Sequence, residues 1–255
     1  MIDWGRWTLL LYILMRMSGF VIFNPILGRR NFPGIFQAGM ILVLTWTVSG
    51  FTAGTVPMPR NLLEFALRLL LELALGYLVG IVMQFFMYLI PQQAGELLDS
   101  QMGMTMSKEY DPSSQSSMSV TSTLLTIMMI LLLFMENGHL TLLRILLTSG
   151  DIVPYGTVSL GTDVSSAVAE LFVSCMLLAV KLVLPILAAE LLGQIGMGIL
   201  MKVIPQINVF SINIELKILI GLGLLMLFMA PINNYLLDAE RQMLAAVRQF
   251  MALAR

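Results

Sequence analysis

One cysteine and one histidine, Cys175 and His139, are all that the chain offers toward a zinc site or a thiol nucleophile. Three or four Cys/His ligands cannot be assembled from them, and no intrachain disulfide can form. Cys175 falls in the apolar run Leu171–Val180 and reads as a small buried hydrophobe. His139, in the turn-like Glu136-Asn137-Gly138-His139, reads as a loop or interface residue. The glycines of Gly193-Gln194-Ile195-Gly196-Met197-Gly198 have the wrong spacing for a dinucleotide fingerprint and sit in a helix-like run. Neither H-E-x-x-H nor G-x-S-x-G occurs. Paired carboxylates for an intramembrane aspartyl protease would have to come from Asp99 and Asp111, read as parts of a Ser-rich loop, or from Asp3, Asp151, Asp163 and Asp238 near segment ends. The residue types therefore predict no enzyme, no metal and no cofactor.

A different set of charges stands out because of where it falls. The chain is 58% hydrophobic and 11% charged, with a mean hydropathy of +0.90. Soluble domains carry roughly 25% charge, so this composition belongs in a membrane. A net charge of −1 without a basic cluster excludes nucleic acid as a partner. Against that background Arg16 interrupts the first apolar run, Glu64, Arg68 and Glu72 mark the third, Arg144 the fourth, and Lys181 and Glu190 the fifth. A charge at the bilayer centre costs about 2.5–3.5 kcal/mol on insertion scales, so such residues face protein or water. Glu64, Arg68 and Glu72 are spaced i, i+4, i+8, on one helix face with opposite signs adjacent. They read either as a group snorkelling near an interface or as a polar seam toward neighbouring helices.

The elements that carry these residues are six long apolar segments, about 7–27, 36–51, 62–90, 124–147, 168–203 and 212–237. Most reach the ~20 residues that a helix needs to cross a ~30 Å hydrocarbon layer. Lipid cannot satisfy open peptide groups, so they are helices or a closed barrel, and barrel strands alternate apolar and polar where these runs do not. The expected fold is all-α. The breaks 28–34 and 56–61 are rich in Pro, Gly and Asn, and 149–166 reads as a longer linker between a larger N-terminal part and a two-helix C-terminal part. Pro25, Pro91, Pro185, Pro205 and Pro231 predict kinks or breaks. Gly76 and Gly80 form a G-x-x-x-G, and Ala189 with Gly193 a small-x-x-x-small pair, both suited to close helix packing. The first apolar segment lacks a basic start and an A-x-A site, and is expected to be retained. Alternating the segments puts Arg6, Arg60, Arg241, Arg248 and Arg255 on one side and Arg29, Arg30, Lys108 and Lys202 on the other, too even a split for the positive-inside rule to orient the chain.

The centre of the chain departs from this pattern. Residues 95–123, GELLDSQMGMTMSKEYDPSSQSSMSVTST, are polar and dotted with methionine. Met102, Met104, Met106 and Met118 need a partner if they are to be buried, and methionine suits surfaces that re-pack. The segment reads as a tether anchored to its own helices or as a deformable seal.

Two stretches carry a resemblance: 197–213, MGILMKVIPQINVFSIN, and 93–104, QAGELLDSQMGM. Both resemble the FliR family of flagellar export-gate proteins and, more distantly, its virulence-type secretion counterparts. Residues 16–20, 24–30 and 134–140 match in family order, while Glu215 stands where many relatives have proline. The resemblance implies an inner-membrane protein of the bacterial flagellar basal body. Its expected partners are FliP-like and FliQ-like subunits, FlhA- and FlhB-like proteins and exported flagellar subunits. It implies a FliP-like part over 1–165 and a FliQ-like two-helix hairpin with an amphipathic C-terminal extension over 166–255. It also implies that residues 101–121 form a loop that plugs the channel, with Gln101, Met102, Met104, Met106, Tyr110 and Met118 as contacts. Arg16, Glu64, Arg68, Glu72, Gly76, Gly80, Pro205, Gln206 and Asn208 are the residues expected in helix packing and polar contacts. The alternative is a stand-alone secondary transporter with Arg16, Arg68 and Glu72 near a midplane solute site.

Overall fold

The computed structural model describes residues 4–28, 32–52, 56, 59, 61–104, 109–111, 116–203 and 209–255, with 109–111, 116–118, 200–201 and 209–214 described by backbone alone. The described chain is helical apart from one small hairpin and the connecting turns and loops. Helix α1 spans Trp4–Phe23, α2 Gly34–Phe51 and α3 Leu62–Gln84; a π-helical stretch at Phe85–Leu89 leads directly into α4, Ile90–Met102. Strands β1, Glu109–Asp111, and β2, Ser116–Met118, pair antiparallel. Then follow α5, Val120–Met135; α6, Gly138–Leu147; a single turn, α7, Ser149–Ile152; α8, Thr162–Val203; α9, Val209–Leu227; and α10, Met229–Leu253.

Four of the six apolar segments form unbroken helices and two do not. The run 124–147 breaks at Asn137, whose φ of 57° is the left-handed conformation that Asn tolerates best among non-glycine residues. The run 212–237 breaks at Phe228, and Pro231 sits in the first turn of α10, where its missing N–H costs no hydrogen bond. Pro91 does not end its helix. It follows the π stretch, whose wider register absorbs the lost donor. Pro185 likewise lies inside α8. The linker read at 149–166 is shorter: α7 occupies its start, and α8 begins at Thr162. Asp99, read as part of a loop, is buried in α4.

Among the described residues four helical runs, 4–23, 34–51, 62–102 and 162–199, are long and apolar enough to cross a membrane, and six are if each broken pair counts as one span. The chain divides into two compact units. The first comprises residues 1–86, 133–172 and 241–255, and the second 87–132 and 173–240. The first is built on the pairing of α1 with α3. A Cβ on Gly76 would stand 2.2 Å from the Arg16 carbonyl oxygen, and one on Gly19 would stand 2.3 Å from that of Leu73. Gly80 meets the Phe23 carbonyl at 2.8 Å in the same sense. The two backbones touch, and only glycine permits it. Tyr12, Ile13, Met17, Leu75 and Met83 fill the buried faces around that contact.

Candidate functional site

Two polar constructions sit among these apolar helices, one in each unit. In the first unit Arg16 of α1 is 1% exposed, and Glu72 of α3 is fully buried. Arg16 Nε donates to Glu72 Oε2 at 2.6 Å. Its terminal nitrogens donate to the Val153 carbonyl, each at 3.1 Å, and Nη1 reaches the Ser149 hydroxyl at 3.3 Å. The guanidinium carbon lies 4.1 Å from the Tyr155 ring centroid, a cation–π contact. The second Glu72 oxygen accepts the Gly156 N–H at 2.7 Å, and Gly156 holds φ = 81°, which only glycine adopts cheaply. Burial raises the Tyr155 phenol above its ordinary range, so it stays a neutral hydroxyl beside Ser149. The node fastens the 153–156 loop to α1 and α3.

Glu64, Arg68 and Glu72 therefore split by depth. Arg68 pairs with Glu64 along the helix at 2.5 Å, and both remain partly exposed. Glu72, one turn further, turns inward to Arg16.

In the second unit the base of the central polar segment is tied shut. Gly103, at φ = 77°, ends α4: its N–H reaches the Ser100 carbonyl, and the Met104 N–H returns to Asp99 at 2.9 Å. That is a Schellman ending. Asp99 itself crosses to the start of α5. One carboxylate oxygen accepts the Thr121 N–H at 3.2 Å, and the other accepts the Thr121 hydroxyl in a short bond. A carboxylate at a helix N-terminus both satisfies an orphan donor and opposes the positive end of the helix dipole. Ser119 caps the same end, with its hydroxyl accepting the Ser122 N–H at 3.2 Å. The Ser122 hydroxyl donates to the Gln92 carbonyl at 2.8 Å. One turn before Asp99, a Cβ on Gly95 would stand 2.2 Å from the Ser122 nitrogen. Gly95 and Asp99, spaced i, i+4, thus form one face of α4 that receives the first turn of α5.

Between these fixed ends the segment leaves α4 at Gly103 and enters α5 at Val120. Gln101 and Met102 are helical residues of α4, and Val120 and Thr121 belong to α5, so the loop read at 101–121 narrows to 103–119. Gln101 is exposed and Met102 fully buried, with its sulfur 2.8 Å from where a Cβ on Gly221 of α9 would lie. Met104 is half-buried. The backbone register sets Tyr110 across from Ser117 and Met118 across from Glu109. Met106, Pro205, Gln206 and Asn208 lie outside the described residues.

Several of these partners escaped the sequence reading. Ser119-Val120-Thr121-Ser122 before an apolar run is an N-cap signal, and Gly103 after a helical stretch is a C-cap signal. Tyr155, Gly156 and Ser149 carry no local signal, because their role comes from distant chain: Gly156 meets Glu72 across 84 residues, Ser149 meets Arg16 across 133, and Tyr155 meets the same Arg16.

Helices of this length and apolarity, bearing a buried ion pair and backbone-close glycine contacts, define a polytopic helical membrane protein. Residues 7–243 match the family described as bacterial export proteins, family 1, and the chain belongs to that family. It is 27% identical over 216 residues to the flagellar biosynthetic protein FliR of Escherichia coli K12, covering 84% of this chain and 82% of the relative. It is 24% identical over 211 residues to FliR of Bacillus subtilis 168, covering 82% and 81%. A more distant relative is the surface presentation of antigens protein SpaR of Shigella flexneri, 24% identical over 210 residues, covering 80% and 78%.

Proposed function

We propose that the chain is a subunit of the flagellar type III protein export gate. With FliP-like and FliQ-like subunits it forms the channel through which unfolded flagellar proteins leave, in the bacterial inner membrane at the flagellar basal body. FlhA- and FlhB-like proteins are its neighbours in that apparatus. The observation that carries this reading is the family match over residues 7–243, together with flagellar relatives matched over more than four-fifths of both chains. The chain performs no bond chemistry in this role, and the driving energy enters elsewhere in the apparatus.

On this reading residues 1–165 are the FliP-like part and 166–255 the FliQ-like hairpin of α8 with α9 and α10. The segment 103–119 is the plug. Supporting that assignment, its two ends are tied to each other by Asp99, Thr121, Ser119 and Ser122. The segment can then be displaced without unravelling α4 or α5.

Co-expression with FliP- and FliQ-like proteins tests the assignment. A detergent-stable complex containing all three is the expected result, and a chain that purifies alone would overturn it.

A further inference from the structure

Glu190 is a buried carboxylate of the second unit that the packing of the described residues leaves unanswered at both oxygens. It lies in α8, within the apolar run 162–199, and is 2% exposed. Among the described residues neither carboxylate oxygen has a hydrogen-bond partner. Four residues on, along the same helix face, the Gln194 amide nitrogen is also buried and unpartnered. Helix α9 comes close here: a Cβ on Gly193 would stand 3.5 Å from Ile220. The charged group that acts on Glu190 is Lys217 of α9, and no ionisable side chain of α4, α5 or α10 does so among the described residues.

The other buried carboxylates described above are spoken for. Glu72 has a guanidinium and a backbone N–H, and Asp99 has a hydroxyl and a backbone N–H. An anion with no partner is not sustained in such surroundings, so the group either carries a proton or meets a cation. We propose that Glu190 is a proton-binding site within the membrane part, exchanging between a neutral acid and a carboxylate paired with Lys217. In the neutral form its hydroxyl becomes a donor, and Lys217 is released. In the ionised form Lys217 is drawn to α8. Proton occupancy is thereby coupled to the approach of α9 toward α8, independently of whether the chain serves in export.

An apolar carbodiimide, dicyclohexylcarbodiimide, reads this directly, because it reacts with a protonated carboxyl in an apolar setting. The acid O–H adds across one C=N bond: the oxygen bonds the central carbon and the proton goes to nitrogen. The acyl group then migrates to nitrogen to give a stable N-acylurea, and nothing leaves. The full-length chain in membranes would be labelled over a range of pH, and the adducts mapped by mass spectrometry. The expected result is an adduct on Glu190 that declines as pH rises and is lost in E190Q. In K217M, where no cation holds the carboxylate ionised, the decline moves to higher pH. The proposal is overturned if Glu190 takes no label at any pH, if its labelling does not vary with pH, or if K217M leaves the profile in place. Should E190Q fail to accumulate, the wild-type and K217M profiles still decide the matter.

Discussion

At the scale of single residues, Arg16 and Glu72 show how a charge is made tolerable among apolar helices. Each is fully desolvated, and each has its remaining valences answered by backbone groups of the 153–156 loop. Removing one partner leaves the other buried and unpaired. Arg16→Ala or Glu72→Ala is expected to cost about 3–5 kcal/mol. Arg16→Met combined with Glu72→Leu should recover only part of that loss, since no charge is then left unpaired but the Val153 carbonyl and the Gly156 N–H lose their partners. Unfolding midpoints of the purified variants in detergent check both, and a double variant as unstable as either single one would refute the account. Arg16→Lys should behave as a loss as well, because an ammonium cannot serve Glu72, Val153 and the Tyr155 ring together. The charges themselves were legible from sequence, as were their incompatibility with lipid and the shared face of Glu64, Arg68 and Glu72. That Glu72 would turn away from Arg68 toward Arg16 was not, because pairing across helices depends on which faces meet.

At the scale of elements, the contact of α4 with α5 rests on one glycine and one carboxylate. A methyl group at position 95 would meet backbone rather than a movable side chain, so Gly95→Ala must force the helices apart. It is expected to destabilise by about 1–3 kcal/mol, as overpacking does. Gly193→Ala is the contrast, since its Cβ would meet only Ile220 at an ordinary distance. There the higher helix propensity of Ala, worth about 1 kcal/mol, should make the change neutral or stabilising. The thermal midpoint should fall in Gly95→Ala and hold or rise in Gly193→Ala. Asp99→Ala removes a cap worth about 0.5–2 kcal/mol, and amide hydrogen exchange at Thr121 and Ser122 should accelerate while that in α1 does not change. The long apolar segments were legible as helices because twenty apolar residues in lipid leave the backbone no other choice. Their interruptions were less so. Asn137 and Phe228 sit between apolar runs that read as continuous, and only the Glu136-Asn137-Gly138 turn and Pro231 hint at a break. Pro91 misled in the other direction, because a π register is invisible to hydrophobic periodicity.

At the scale of the whole molecule, the spans 4–23 and 62–102 are each 50% buried within the chain, whereas 34–51 is 17% buried and 162–199 28%. The transporter alternative would need Arg16, Arg68 and Glu72 available to a solute. Arg16 and Glu72 instead occupy each other and the 153–156 loop, and Arg68 is engaged by Glu64. In the export-gate reading, deleting residues 107–117 should leave co-purification with the partner subunits intact while raising leakage of small solutes across the membrane. Normal tightness in that variant would refute the plug assignment. The family was legible from two short motifs, and the structure gives one of them a physical reason. In QAGELLDSQMGM, Gly95 admits α5, Asp99 caps it, Met102 packs on Gly221, and Gly103 ends the helix.

The tie between Asp99 and Thr121 also bears on how this protein can vary. With both ends of the 103–119 stretch held by α4 and α5, chain added between them does not alter the contacts that hold the helices together. Doubling the length of a flexible closed segment costs only about 0.6 kcal/mol. Length and composition there are therefore almost decoupled from the stability of the fold. On the export-gate reading the stretch is an exchangeable cassette, and a reporter tag inserted there is expected to leave the contacts of α4 with α5 in place.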